Sequence, residues 1–228
     1  MTQDTILTLA ILGGTGKEGF GLALRWAHAG YAVIIGSRDA ARARATAHAL
    51  NEKLGREDLA QGMTNLDAAQ TCDIAVLTVP YASQRATLEA LKDALKGKVL
   101  VDVTVPLNAE KRRAVCLPPG GSAGAEAQAL LGDEVRVVSA FQNIGFRHLE
   151  ELDAPIDCDV LVSGNDKAAK QQVIALARAM GIDAFDAGPI ENAVVAEALV
   201  SALININIKF KVTSAGIRIT GIPRLDKR

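Results

Sequence analysis

The stretch Ile11-Leu12-Gly13-Gly14-Thr15-Gly16-Lys17-Glu18-Gly19, read ILGGTGKEG, follows an aliphatic run and leads into a helical pattern. Gly14, Gly16 and Gly19 match GxGxxG in the setting the motif needs: a strand before it, a helix after it, and a second strand beyond. Gly14 permits the tight turn, Gly16 lets the backbone approach a pyrophosphate, and Gly19 lets the helix pack close to the strand. The helix start then offers unpaired N–H groups and a partial positive charge to phosphates. The stretch reads as a dinucleotide cradle.

Working outward, short apolar runs alternate with helical patterns. Residues 6–12, 32–36, 73–79, 98–104, 135–141, 158–163 and 183–186 read as strands, with helices over 17–29, 39–54 and 82–95 between the first four. That alternation predicts an α/β fold with a mainly parallel sheet covered by helices. IAVLTV and KVLVDVTV are apolar almost throughout, as strands buried on both faces are. Gly30 and Gly97 stand where helices need a left-handed final residue, and Pro80 and Pro106 stop strands at their carboxyl ends, the edge where open α/β sheets bind ligands. Residues 117–124 form the clearest loop. Beyond Gly188-Pro189, residues 190–210 read as a long helix apolar on nearly every side, which calls for burial all round, within one subunit or across a partner subunit. Glu197, Asn205 and Asn207 interrupt it, so it is not read as a membrane span.

Composition narrows the function. With 228 residues, the chain holds one large domain or a main domain with a small appendage. Aromatic residues make up only 4%, which argues against a stacking groove for nucleic acid, and the net charge of -1 gives no global attraction to nucleic acid or membrane. Residues 209–228 nevertheless carry +5 (Lys209, Lys211, Arg218, Arg224, Lys227 and Arg228 against Asp226). Cys72, Cys116 and Cys158 lack any CxxC pair or neighbouring His cluster, so neither disulfides nor a metal site is expected, and a reducing cytoplasm fits. MTQDTILTLAIL has no basic leader and meets the glycine turn too soon for a signal peptide.

The second strand chooses the cofactor. An NAD site places Asp or Glu at its end, about 20 residues beyond the glycines, to bond the ribose hydroxyls. Here the strand ends in Ser37-Arg38, with Arg42 four residues on. A carboxylate would repel a 2′-phosphate, whereas Arg38 can pair with it and Ser37 can donate a hydroxyl, so NADP is expected. Arg44 reads as solvated, and Asp39 as a helix cap.

With those residues placed, the chain resembles the NADPH-dependent reductases of the deazaflavin coenzyme F420. The matching stretches are LGGTGKEGFGLALRWAHAGYAVIIGSRD, CDIAVLTVPY, VVSAFQN, DAGPIENAVVAEAL and GIRITG, spread over nearly the whole chain. The resemblance implies a Rossmann-like, doubly wound domain over residues 1–188. Residues 189–228 then form a small helical and basic segment that completes the deazaflavin site and the interface of a homodimer or higher homo-oligomer. It places Gly14, Thr15, Gly16, Lys17 and Glu18 along the NADP pyrophosphate, and Ser37, Arg38 and Arg42 around the 2′-phosphate. Val79, Pro80 and Val105 wall the nicotinamide, while Ala140, Gln142, Asn143 and Ala215 approach the deazaflavin. Gln142 stands where some relatives carry His.

Read from its residues alone, the site offers no convincing acid, base or nucleophile. His28 and His48 fall in helices away from the strand ends, His148 lies beside a plausible site loop, and Asp102 sits inside a strand. Hydride transfer between nicotinamide C4 and deazaflavin C5 needs none, because the cofactors carry the chemistry and the protein sets their distance. The basic C-terminal segment, through Lys209, Lys211 and Arg218, is expected to dock the coenzyme's acidic tail. Two other functions fit the same dinucleotide cradle. One is an NADP-dependent reductase of a small imine or carbonyl compound, and the other is a non-catalytic NADP sensor. The imine reductases generally add a longer helical substrate domain than the 40 residues available here.

Overall fold

The computed structural model describes residues 7–108, 110–111 and 113–222. Ile6, Arg224, Asp226, Lys227 and Arg228, which the sequence assigns to the first strand and the basic tail, lie outside the described residues. The chain runs β1 (Thr8–Leu12), α1 (Lys17–His28), β2 (Ala32–Ser37), α2 (Ala40–Leu54), β3 (Ala60–Thr64), α3 (Asn65–Thr71), β4 (Ile74–Leu77), α4 (Tyr81–Leu95) and β5 (Val99–Asp102). It continues through α5 (Ala123–Leu131), β6 (Arg136–Ser139), α6 (Phe146–Glu150), β7 (Val160–Gly164), α7 (Lys167–Ala179) and β8 (Ala184–Asp186). A 3₁₀ turn (Ile190–Asn192) then leads into α8 (Ala193–Phe210).

The strands form one sheet in the order β3-β2-β1-β4-β5-β6-β7-β8, parallel except where β6 meets β7. Strand alternation divides the apolar residues between two faces. Leu9, Ile11, Val33, Ile35, Ile74 and Val76 face one cluster with α1, α2 and α7, whereas Ala10, Leu12, Ile34, Ala75 and Leu77 face the other with α3, α4 and α5. Burial of each Leu or Ile stabilises the fold by roughly 1.5–3 kcal/mol. This is the doubly wound, Rossmann-like architecture read from the sequence, with a helical C-terminal part. The winding reverses between β1 and β4, and a crevice opens there at the carboxyl ends of the strands.

Three features escape the sequence pattern. β3 reads AQGMT and buries only Ala60, because an edge strand has few apolar neighbours to satisfy. Its Gly62 lies where a Cβ would come 2.3 Å from the backbone of Ala43 and Arg44 in α2. The run 135–141 is strand only as far as Ser139. Phe141 turns away with φ 73°, a left-handed conformation that disfavours a non-glycine residue, and its ring packs edge-to-face with Trp26, the centroids 5.6 Å apart. Finally, α8 is not buried all round. Ala193, Ala196, Glu197, Ser201 and Leu203 form its inner stripe, while Val195, Ile206, Ile208 and Phe210 are exposed on the chain. The segment Ile190–Phe210 is long and apolar enough to cross a membrane by length and composition. Its inner stripe, however, packs on α5 and carries a buried carboxylate.

Candidate functional site

The crevice is a cleft of about 510 Å³. Thr15, Gly16, Lys17 and Glu18 line it from the β1–α1 turn, Ser37, Arg38 and Arg42 from the β2–α2 turn, Val79 and Pro80 after β4, and Val105 after β5. Sequence-chosen residues from four separate strand ends therefore share one wall. The glycines divide the work. Gly14 donates its N–H to the Ile11 and Gly36 carbonyls, both at 3.0 Å, and has no room for a Cβ, so it shapes the turn from behind the cleft wall. Gly19 has none either, with Gly14 Cα 2.7 Å from where a Cβ would stand. At Gly16 a Cβ would meet nothing within 4 Å, so its absence serves whatever enters the cleft rather than the fold.

The β2–α2 corner presents cations without a carboxylate. Ser37 is buried, and its Oγ accepts the Asp39 N–H at 3.2 Å, which fixes the turn. Asp39 caps α2 by accepting from Ala41 N at 2.8 Å and Arg42 N at 3.3 Å, as the sequence predicts, and is turned to its own backbone. Arg38 and Arg42 are exposed at the cleft and form no ion pair among the described residues. A 2′-phosphate fits this corner. Arg44, by contrast, is exposed on α2 and does not line the cleft.

The cleft also uses residues that the sequence did not single out. Asn65, at the start of α3, accepts the Gly13 N–H at 3.1 Å and steadies the glycine turn. Thr78 donates to the Leu12 carbonyl at 3.1 Å. Tyr81 lines the cleft and donates to Glu126 at 2.8 Å, and burial together with this bond pushes its hydroxyl up to about 12. Asn65 was invisible because the β3–α3 unit itself gives no periodic signal, whereas Thr78 and Tyr81 flank Val79-Pro80 and could have been read from that strand end.

Ala140, Gln142, Asn143 and Ala215 lie outside the cleft lining. Gln142 is buried beside the β5 end, donating to the Asp102 carbonyl and Ser139 Oγ at 2.8 Å each, with its Oε1 unpartnered. Asn143 donates to the Asp159 carbonyl at 2.8 Å, and Asp159 N–H donates in turn to Ile217 in the C-terminal segment. Ala215 is half-buried, its N–H donating to Asn207 of α8. Asn143 and Ala215 therefore belong to the joint between the β6 turn and the C-terminal segment, whereas Ala140 and Gln142 are tied to the β5 end. His148 belongs to the same joint, its Nε2 3.0 Å from the Ser214 carbonyl.

Arg218 differs from expectation. It is held by Asp159 at 3.0 Å, Asp157 at 3.2 Å and Asp183 at 3.7 Å, so three carboxylates already neutralise the charge that the sequence offered to an acidic ligand tail. Lys209 and Lys211 are exposed. Three acids shifted by burial complete the electrostatics. Burial pushes Glu18, in the first turn of α1, up to about 8. Glu197 of α8 accepts the Ala123 and Gly124 N–H groups at 2.8 and 3.1 Å. Burial raises it to about 7 against those bonds. Asp102 is buried, with its ionisation pushed up by burial, and accepts from Gln84 and from Thr104 N. None of these forms a nucleophile–base pair.

Comparison with known proteins identifies the family. Residues 8–106 match the family described as NADP oxidoreductase coenzyme F420-dependent. The chain is 44% identical over 223 residues to the F420-dependent NADP reductase of Methanothermobacter marburgensis, covering 95% of this chain and 100% of that one. The protein of the same name from Methanocaldococcus jannaschii is 43% identical, with 95% and 99% covered. A crystal structure from Arthrobacter sp. FB24, provisionally assigned as an F420-dependent NADP reductase, superposes with a TM-score of 0.81 at 29% identity. It covers 94% of this chain and 100% of that one. The chain belongs to the F420-dependent NADP reductase family.

Proposed function

We propose that this protein transfers a hydride between NADP(H) and the 5-deazaflavin coenzyme F420, from nicotinamide C4 to deazaflavin C5 or the reverse. Chain-long family membership carries the reading, and the cleft supports it: a glycine turn with space at Gly16, a cationic corner at Ser37, Arg38 and Arg42, and apolar walls at Val79 and Val105. The two bound ring systems exchange both electrons between themselves, so the chemistry asks the protein for no reacting side chain.

What the chain contributes is binding, orientation and exclusion of water. The N–H groups of Thr15, Gly16, Lys17 and Glu18 at the α1 start hold the pyrophosphate. Arg38 and Arg42 hold the 2′-phosphate, Val79, Pro80 and Val105 bound the nicotinamide, and Ala140, Gln142, Asn143 and Ala215 border the deazaflavin. In this division, residues 1–188 bind NADP and residues 189–228 complete the deazaflavin side. Lys209 and Lys211, without Arg218, steer the acidic tail. The exposed apolar face of α8 closes on a second copy of the chain, giving a homodimer or higher homo-oligomer, and the enzyme works in the cytoplasm, free of membrane and nucleic acid.

Adding NADPH to protein and oxidised coenzyme should bleach the deazaflavin visible band, with NADH far slower. Consumption of NADPH with a cyclic imine, and none with the deazaflavin, would overturn the proposal in favour of imine reduction.

A further inference from the structure

Glu18 is the one acidic residue among the described residues that line the cleft, and its position runs against ordinary electrostatics. It stands in the first turn of α1 between the glycines that frame a pyrophosphate, where an anion facing two phosphate charges would be repelled. A helix start favours an anion, yet no hydrogen bond from the first N–H groups reaches this carboxyl, and α1 has no side-chain cap. Its Oε1 is sealed from solvent without a hydrogen-bond partner. A carboxylate left so would be costly, whereas the carbonyl oxygen of a neutral acid tolerates one missing partner better.

The groups facing it offer no counter-charge. Lys17 stands over the Phe146 ring of α6 at 4.9 Å. Arg38 and Arg42 line the same cleft but make no ion pair with Glu18 among the described residues, and Tyr81 of α4 is tied to Glu126. Asp102, at the end of β5, is bonded to Gln84 and Thr104. From α6, His148 turns to Ser214, Arg147 lies over the Phe146 ring, and Glu150 lines an adjoining hollow between the glycine turn and α2. Burial alone shifts Glu18, up to about 8, so the acid form is the one present at neutral pH.

We propose that Glu18 meets the NADP pyrophosphate as an un-ionised carboxylic acid and donates its proton in a hydrogen bond to a phosphate oxygen. This rests on the NADP reading above and adds a side-chain donor to the backbone N–H groups of the glycine turn. The phosphate charges hold that proton more tightly in the complex than in the free protein. Binding above about pH 8 therefore takes up a proton, and the dissociation constant rises tenfold per pH unit until the bound acid itself ionises. The 2′-phosphate titrates near pH 6, below this window.

The test is NADPH affinity from pH 6.5 to 9.5, with calorimetry at pH 9 in two buffers of different ionisation enthalpy. The wild type should be flat to near pH 8, then weaken about tenfold per unit, taking up close to one proton per NADPH. Glu18→Gln, a donor with no proton to lose, should show neither slope nor uptake. Glu18→Leu should also be flat, and roughly tenfold weaker at pH 7 than the Gln variant. A wild-type profile flat through pH 9.5, or the same fall in the Gln variant, overturns the role of Glu18 alone. Failure of the wild type to bind NADPH at pH 6.5 overturns the NADP reading and this role with it.

Discussion

A Cβ at Gly19 would stand 2.6 Å from Thr78 Oγ1, and one at Gly14 2.7 Å from the Ile11 carbonyl, while one at Gly16 would stand in open space. The motif is legible as a string, but only the packing separates the glycines the fold needs from the one the ligand needs. Gly16→Ala should therefore leave the unfolding free energy within about 0.5 kcal/mol of wild type and weaken NADPH binding about tenfold. Gly19→Ala should cost about 1–3 kcal/mol of stability, read by denaturant unfolding. Loss of the Arg38 charge is a specificity change: Arg38→Ala should weaken NADPH about 10- to 100-fold and leave NADH unchanged, in parallel Michaelis constants. Equal loss for both dinucleotides would place Arg38 away from the 2′-phosphate. The place of Ser37 and Arg38 at the cleft could be read because it is fixed locally, at one strand end. The fate of Arg218 could not, since its three carboxylates lie 35 or more residues earlier in the chain and meet it only in the fold.

Among the elements, β1, α1, β2, α2, β4 and β5 were legible because burial on both faces writes itself as continuous apolar runs, with caps at Asp39 and left-handed glycines at Gly30 and Gly97. β3 and α3 were not, because an edge strand of AQGMT and a short helix of NLDAAQT carry no period, and with them went Asn65. α8 misleads in the opposite direction: its apolarity predicts enclosure, whereas what docks it to α5 is Glu197 on its inner stripe. The folded acidity of that group lies near pH 7, above its ordinary 4.5. Its stabilising contribution is accordingly full below about pH 4.5 and lost as pH rises through 7, an effect of at most about 3 kcal/mol. Between pH 5 and 8 the thermal midpoint of the wild type should fall more than that of Glu197→Gln. A steeper fall in the variant would contradict the assignment.

At the scale of the whole molecule, the exposed Val195, Ile206 and Phe210 form an apolar face of α8 that a lone chain leaves in water. If a second copy covers it, Ile206→Glu with Phe210→Lys should shift the sedimenting mass toward that of one chain. An unchanged oligomer would assign the contact to another face. The deeper claim is that the chain aligns two ring systems and adds no reacting group. Its most direct measurement is the fate of a label. With NADPH deuterated at the transferable C4 position and the reaction run in ordinary water, the deuterium should appear at C5 of the reduced deazaflavin, one atom per turnover. Hydrogen from solvent at that carbon would mean that a protein group or water mediates the transfer, and would contradict the account.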